Sequence, residues 1–105
     1  MNDFVQVMTT TDRRQHADAL AAELVEGRLA ACVQVVGPIR SHYRWEGNVE
    51  QAEEWLLVVK TTGERLEDVV AAIGTHHHYD VPEITATPID GGSPAYLDWI
   101  RSCVT

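Results

Sequence analysis

The chain has 105 residues, with 16 Asp+Glu against 8 Lys+Arg and a formal net charge of −8. One domain over residues 1–105 is expected at this length, and 45% apolar with 23% charged residues excludes a disordered chain. The acidic balance excludes a nucleic-acid partner, which needs cations for phosphates, and apolar runs such as Trp55–Val59 are too short for the roughly 20 residues of a membrane helix. Asp3 and the absence of a basic leading segment give the expectation of no signal peptide. Cys32 and Cys103 do not make a disulfide framework, so a reducing cytoplasm is expected.

Phe4–Thr10 is apolar and β-branched and predicts a first strand. Asp12, with Gln15 three residues on, has the form of a capping box for a first helix. Ala17, Leu20, Ala21, Leu24 and Val25 supply its apolar stripe, and Gly27 is the expected stop through a left-handed turn. Ala30–Val36 predicts a second strand, Gly37-Pro38 a bend or bulge in it, and Ile39–Trp45 its resumption. Glu46-Gly47-Asn48 predicts a tight turn into a long third strand, Val49–Thr61. Thr61 with Glu64 predicts a capped second helix with Leu66, Val69, Val70, Ile73 and His77 inward, broken at Asp80-Val81-Pro82. Glu83–Asp90 is the fourth strand, with Pro88 at a sheet edge. Ser93 as cap and Pro94 at the first helical position open a last helix with Leu97, Ile100 and Val104 on its apolar side.

The order β-α-β-β-α-β plus a terminal helix is the split-βαβ, ferredoxin-like α+β arrangement, with a four-stranded antiparallel sheet and both long helices on one face. The other face lacks that cover, yet Trp55–Val59 shows no polar alternation, so the sheet wants a second apolar partner. Fully extended, residues 48–61 span about 45 Å at 3.3 Å per residue. A compact domain of this length is roughly 33 Å across. The hairpin between the second and third strands should therefore overhang and pair with another chain, unless the strand breaks near Ala52–Glu54.

Five segments resemble the CutA family of divalent-cation tolerance proteins, in the family's order and spacing: Leu29–Val33, Tyr43–Gly47, Val59–Thr62, His77–Glu83 and Gly92–Trp99. The resemblance implies a ferredoxin-like fold and a homotrimer in which long bent hairpins pair between subunits with the sheets facing inward. It also implies an architecture like that of PII signalling trimers, and a role in tolerance to copper and other divalent metals with copper binding.

His76-His77-His78 is the most unusual local feature, and imidazole suits copper, zinc and nickel. Consecutive helical residues point about 100° apart, so three adjacent histidines grip one ion only where the helix unwinds or with ligands from a neighbouring subunit. The alternative is that His77 completes the buried stripe after Ile73 while His76 and His78 are solvated. The resemblance matches His76 and His77 to copper-associated positions, with His78 where proline is usual. Cys32 is either a soft metal ligand or a small buried hydrophobe. At the end of the first strand, where some members carry a metal-associated cysteine, this chain has Thr9.

The resemblance also turns Lys60, Tyr79 and Glu83, with Cys32 and Tyr43 near them, toward clefts between subunits. An amine, a phenol and a carboxylate there form either a small-ligand site or a polar network that locks the trimer. No catalytic residue is assigned, since no hydrolase elbow, phosphate loop, dinucleotide fingerprint or zinc-protease motif occurs. The expected function is thus that of a non-enzymatic metal-tolerance trimer holding copper or another divalent cation, with a PII-like ligand sensor as the alternative and a small oligomeric α+β enzyme as a third.

Overall fold

A computed structural model describes residues 3–105. The elements run β1 Phe4–Thr11, α1 Arg14–Glu26, β2 Cys32–Trp45, β3 Asn48–Thr62, a 3-10 turn Gly63–Arg65, α2 Leu66–His76, β4 Thr85–Pro88 and α3 Pro94–Val104. The four strands form one antiparallel sheet in the order β2-β3-β1-β4. This is the expected α+β, ferredoxin-like topology with its added C-terminal helix.

Pleating divides the sheet residues between two faces. Val5 and Val7 of β1 and Leu57 and Val59 of β3 pack with Ala17, Leu20 and Leu24 of α1 and Val69 and Ile73 of α2, all buried. Burying each of these larger aliphatic side chains contributes roughly 1.5–3 kcal/mol. The alternate positions Phe4, Met8, Leu56, Val58 and Lys60 fall on the other face. There Ile100 of α3 packs with Phe4 and Ala31, covering one end. Met8, Leu56 and Val58 stay partly exposed, and Val36 is 48% exposed.

β2 and β3 pair from Cys32↔Lys60 to Trp45↔Asn48, with a register shift between Val36 and Ile39 at the expected bulge. β3 continues unbroken through Ala52–Glu54. The hairpin makes the molecule long and narrow, 44 × 25 × 22 Å. Its exposed tip carries Tyr43, Trp45 and Val49.

Several local expectations give way to tertiary structure. β1 runs on to Thr11, α1 starts at Arg14, and its cap position falls on Arg13 with no side-chain bond, so Asp12 stands one residue too early to cap. Gly27 ends α1 with φ −78°, and Arg28 at φ 59° takes the left-handed position instead. Gly27 is needed for closeness: its Cβ would sit 3.0 Å from the Glu23 carbonyl. The Thr61 hydroxyl donates to the Leu29 carbonyl at 2.7 Å rather than capping α2. α2 ends at His76, and His77 is already extended, so the helical stripe stops before it. β4 is only four residues long, Thr85–Pro88; residues Tyr79–Glu83 before it border the hairpin, and Ile84 packs on the core. The last helix is capped as expected, with the Ser93 hydroxyl accepting from the Tyr96 N–H and Pro94 at its start.

Candidate functional site

Four elements meet where β1 ends: the first turn of α1, the last residue of α2, the chain after it, and the root of the hairpin. Their contacts run through histidines. His16, on the first turn of α1, approaches the Thr11 hydroxyl with Nδ1 at 2.7 Å and donates from Nε2 to the His76 carbonyl at 2.8 Å. A carbonyl only accepts, so the neutral His16 ring carries its proton on Nε2 and receives the Thr11 hydroxyl on Nδ1. His77 is fixed in the same tautomer: Nε2 donates to the Thr10 carbonyl at 2.7 Å, and Nδ1 accepts the Tyr79 N–H at 3.1 Å. Burial pushes the His77 pKa down and the nearby His16 and His78 push the same way, against the Thr10 hydrogen bond and Asp12.

The three adjacent histidines therefore diverge. His76 turns to α1, where Nε2 lies 3.1 Å from Glu23 Oε1 with both side chains about half exposed. His77 turns inward to β1. His78 packs on His16, ring centroids 3.9 Å apart. Among the described residues, no three His, Cys, Asp or Glu side chains converge to hold one metal ion. Cys32 pairs across to Lys60, six residues along β3 from Glu54 and so about 20 Å away. It is part-buried and free, as is Cys103 in the last turn of α3.

A cleft of about 790 Å³ opens between the hairpin and the chain after α2, with Tyr43, Trp45, Glu54, Tyr79, Asp80 and Glu83 among its walls. Glu54 is only 6% exposed, and its Oε2 accepts the Tyr79 hydroxyl at 2.7 Å. Burial, and next that hydrogen bond to Glu54, raise the Tyr79 pKa well above the usual phenol range, so the hydroxyl remains a donor. Of the residues expected at clefts between subunits, Tyr79, Glu83 and Tyr43 line this cleft within one chain. Lys60 does not line the cleft of its own chain; its ammonium donates to Gln34 Oε1 at 2.8 Å.

Sequence reasoning missed His16 and Glu54. Both are tied to partners distant in sequence: His16 to His76 across 60 positions and Glu54 to Tyr79 across 25. Neither belongs to a local motif. The available signal was compositional, five histidines in so short a chain, and it drew attention only to the three that are adjacent.

Comparison with known proteins gives one answer. The family model described as CutA1 divalent ion tolerance protein matches residues 5–103. The divalent-cation tolerance protein CutA of Thermus thermophilus is 44% identical over 95 residues, 90% of this chain and 92% of that protein. The chloroplastic protein CutA of Arabidopsis thaliana is 42% identical over 98 residues, 93% of this chain but 54% of that protein, so the chain spans about half the length of that plant relative. The solved structure of the divalent cation tolerance protein (Cut A1) from Thermus thermophilus superposes with a TM-score of 0.94 at 41% identity, covering 97% of this chain and 99% of that one. With the match spanning nearly every element from β1 to α3, the chain belongs to the CutA1 family of divalent ion tolerance proteins.

Proposed function

We propose that the chain acts as a non-enzymatic homotrimer in divalent-cation tolerance, taking up copper or a similar ion at the end of α2, in a reducing cytoplasm. The supporting observation is the His76–Glu23 pair: a nitrogen and an oxygen donor 3.1 Å apart and about half exposed. Two such donors, with solvent filling the remaining positions, suit a weak and exchangeable ion rather than a closed structural site. His77 joins as a second imidazole on giving up its bond to Thr10 or to Tyr79. His78, or Cys32 from a neighbouring copy, adds a further donor. Trimer formation follows from the uncovered apolar sheet face and from the hairpin, which pairs between copies. Relatives bear names with different compartments, chloroplastic for the Arabidopsis thaliana protein and periplasmic for the solved CutA of Archaeoglobus fulgidus, so the two unpaired cysteines carry the cytoplasmic reading. Isothermal titration with copper checks the site. The wild type binds and the His76→Ala/His77→Ala double variant loses binding; equal binding by the two overturns the assignment.

The cleft supports a second reading, that of a PII-like trimer sensing a small ligand. Its volume lies within the roughly 300–1,000 Å³ usual for such sites. Tyr79 and Glu83 contribute from one chain, and Lys60 enters only from a neighbouring copy. A ligand that binds the folded state alone raises the melting temperature, so a thermal-shift panel on the intact protein tests it.

A further inference from the structure

We propose that His16 is a positioning residue for the cation site at the end of α2: by holding the main chain of His76 it sets the His76 ring beside Glu23. The proposal rests on the metal reading of the His76–Glu23 pair and adds a residue that acts through it. His76 is the last residue of α2, so its carbonyl is among the acceptors that a helix end leaves without an intrahelical donor. His16 supplies the donor from another helix, Nε2 to oxygen at 2.8 Å. The ring of the same residue turns to Glu23, with Nε2 3.1 Å from Oε1. His16 and Glu23 both belong to α1, where residues 16 and 23 lie two turns and about 10 Å apart along one face. One helix thus grips His76 twice, once by its main chain and once by its ring.

His16 is itself held. The Thr11 hydroxyl is fully buried and donates to Nδ1 at 2.7 Å, which keeps the proton on Nε2 and aims it at the carbonyl. The ring also packs on His78, centroids 3.9 Å apart. Both nitrogens of His16 are in use, so it holds a ligand rather than serving as one. The support matters because helix ends fray and His77 is already extended. Without the His16 bond the last turn of α2 loosens and the His76 ring loses its place beside Glu23. Partners that orient a metal ligand are typically worth about 10–100-fold in affinity. All these contacts lie within one chain. They sit in the helix layer, which covers the side of the sheet away from its open apolar face, so association through that face leaves them intact.

Titration of Cu²⁺ into the intact protein, its His76→Ala variant, and His16→Gln, His16→Ala and His16→Asn decides the matter. A Gln amide nitrogen falls where Nε2 lies and still donates to the His76 carbonyl, whereas an Asn amide is too short to reach it. His16→Gln is expected to bind close to the wild type, and His16→Ala and His16→Asn about tenfold or more weakly. In a His76→Ala background, His16→Ala should weaken copper no further, because no ring remains to be placed. Electron paramagnetic resonance at saturating copper should count the same number of coordinated nitrogens in wild type and His16→Gln. If His16→Ala does not fold, His16→Asn against His16→Gln still decides. No binding by the wild type, or unaltered binding by His76→Ala, overturns the metal reading itself. Copper binding that depends on His76 yet is equal in wild type and the folded His16 variants overturns the role of His16 alone. Equal weakening in all three His16 variants assigns the effect to the packed ring and overturns the hydrogen bond. Loss of one coordinated nitrogen in His16→Gln makes His16 a ligand and overturns positioning.

Discussion

A Cβ on Gly37 would sit 2.8 Å from Cγ and 2.9 Å from Nε1 of the Trp55 indole. The bulge in β2 thus closes onto a ring that a side chain would displace. Gly37→Ala should cost about 1–3 kcal/mol through overpacking, read as a lower urea midpoint, and cost much less in a Trp55→Ala background, where the ring is gone. His77 governs a different variable. Its pKa is lowered from the ordinary 6.5, chiefly by burial, so as pH falls the unfolded chain takes up this proton first. Stability then rises with pH wherever the unfolded state holds more protons. The contribution is complete above about pH 6.5 and is lost as pH falls from there toward the lower folded value. Urea unfolding at pH 7.5 and pH 5.5 should show the wild type losing more stability on acidification than His77→Gln does. The charged neighbours that enter this balance are His16 and His78, which oppose protonation, and Asp12, which favours it.

At the level of elements, the hairpin turn is the most exposed test of local chemistry. Trp45 pairs with Asn48 across Glu46 and Gly47, which have φ of 48° and 82°. A two-residue turn with both central φ positive suits Asn-Gly, and Glu at the first position carries strain that Asn relieves. Glu46→Asn should stabilise the protein by about 0.5–1 kcal/mol and Gly47→Ala should destabilise it by about 1 kcal/mol, both read from urea midpoints. This turn, the Ser93-Pro94 helix start and the Gly37-Pro38 bulge were legible in the sequence because each depends on residues within a few positions. The strand order followed from the succession of periods. The capping boxes at Asp12 and Thr61 failed because longer-range partners won: β1 extends past Thr10, and the Thr61 hydroxyl bonds Leu29 across 32 positions. The candidate site was the least legible part. The histidine run was visible, but the divergence of its rings depends on Glu23, Thr10 and His16, which reach it from two other elements.

The whole molecule presents a mismatch between its two sheet faces. One is sealed by α1 and α2, with Val7, Leu57 and Val59 fully buried. The other is covered at one end by α3 and leaves Met8, Leu56 and Val58 partly open. The hairpin stretches the molecule to 44 Å, nearly twice its other dimensions, so strand edges near its tip lie beyond the reach of its own core. Both features fit the homotrimer proposed above, in which copies of the chain would bring their open faces together and exchange hairpin edges. Light scattering should then give about three times the 11.7 kDa of one chain. Val58→Glu separates this from a merely tolerant surface. On a lone chain a carboxylate at that half-buried position reaches water at small cost, whereas in the assembly it places like charges in an apolar interface. The variant should fall to the mass of one chain, while Val25→Glu, on the outer side of α1 where Val25 is 42% exposed, should leave the mass unchanged. An unaltered trimer in Val58→Glu would move the interface away from the sheet, and a wild type scattering as one chain would remove the assembly altogether.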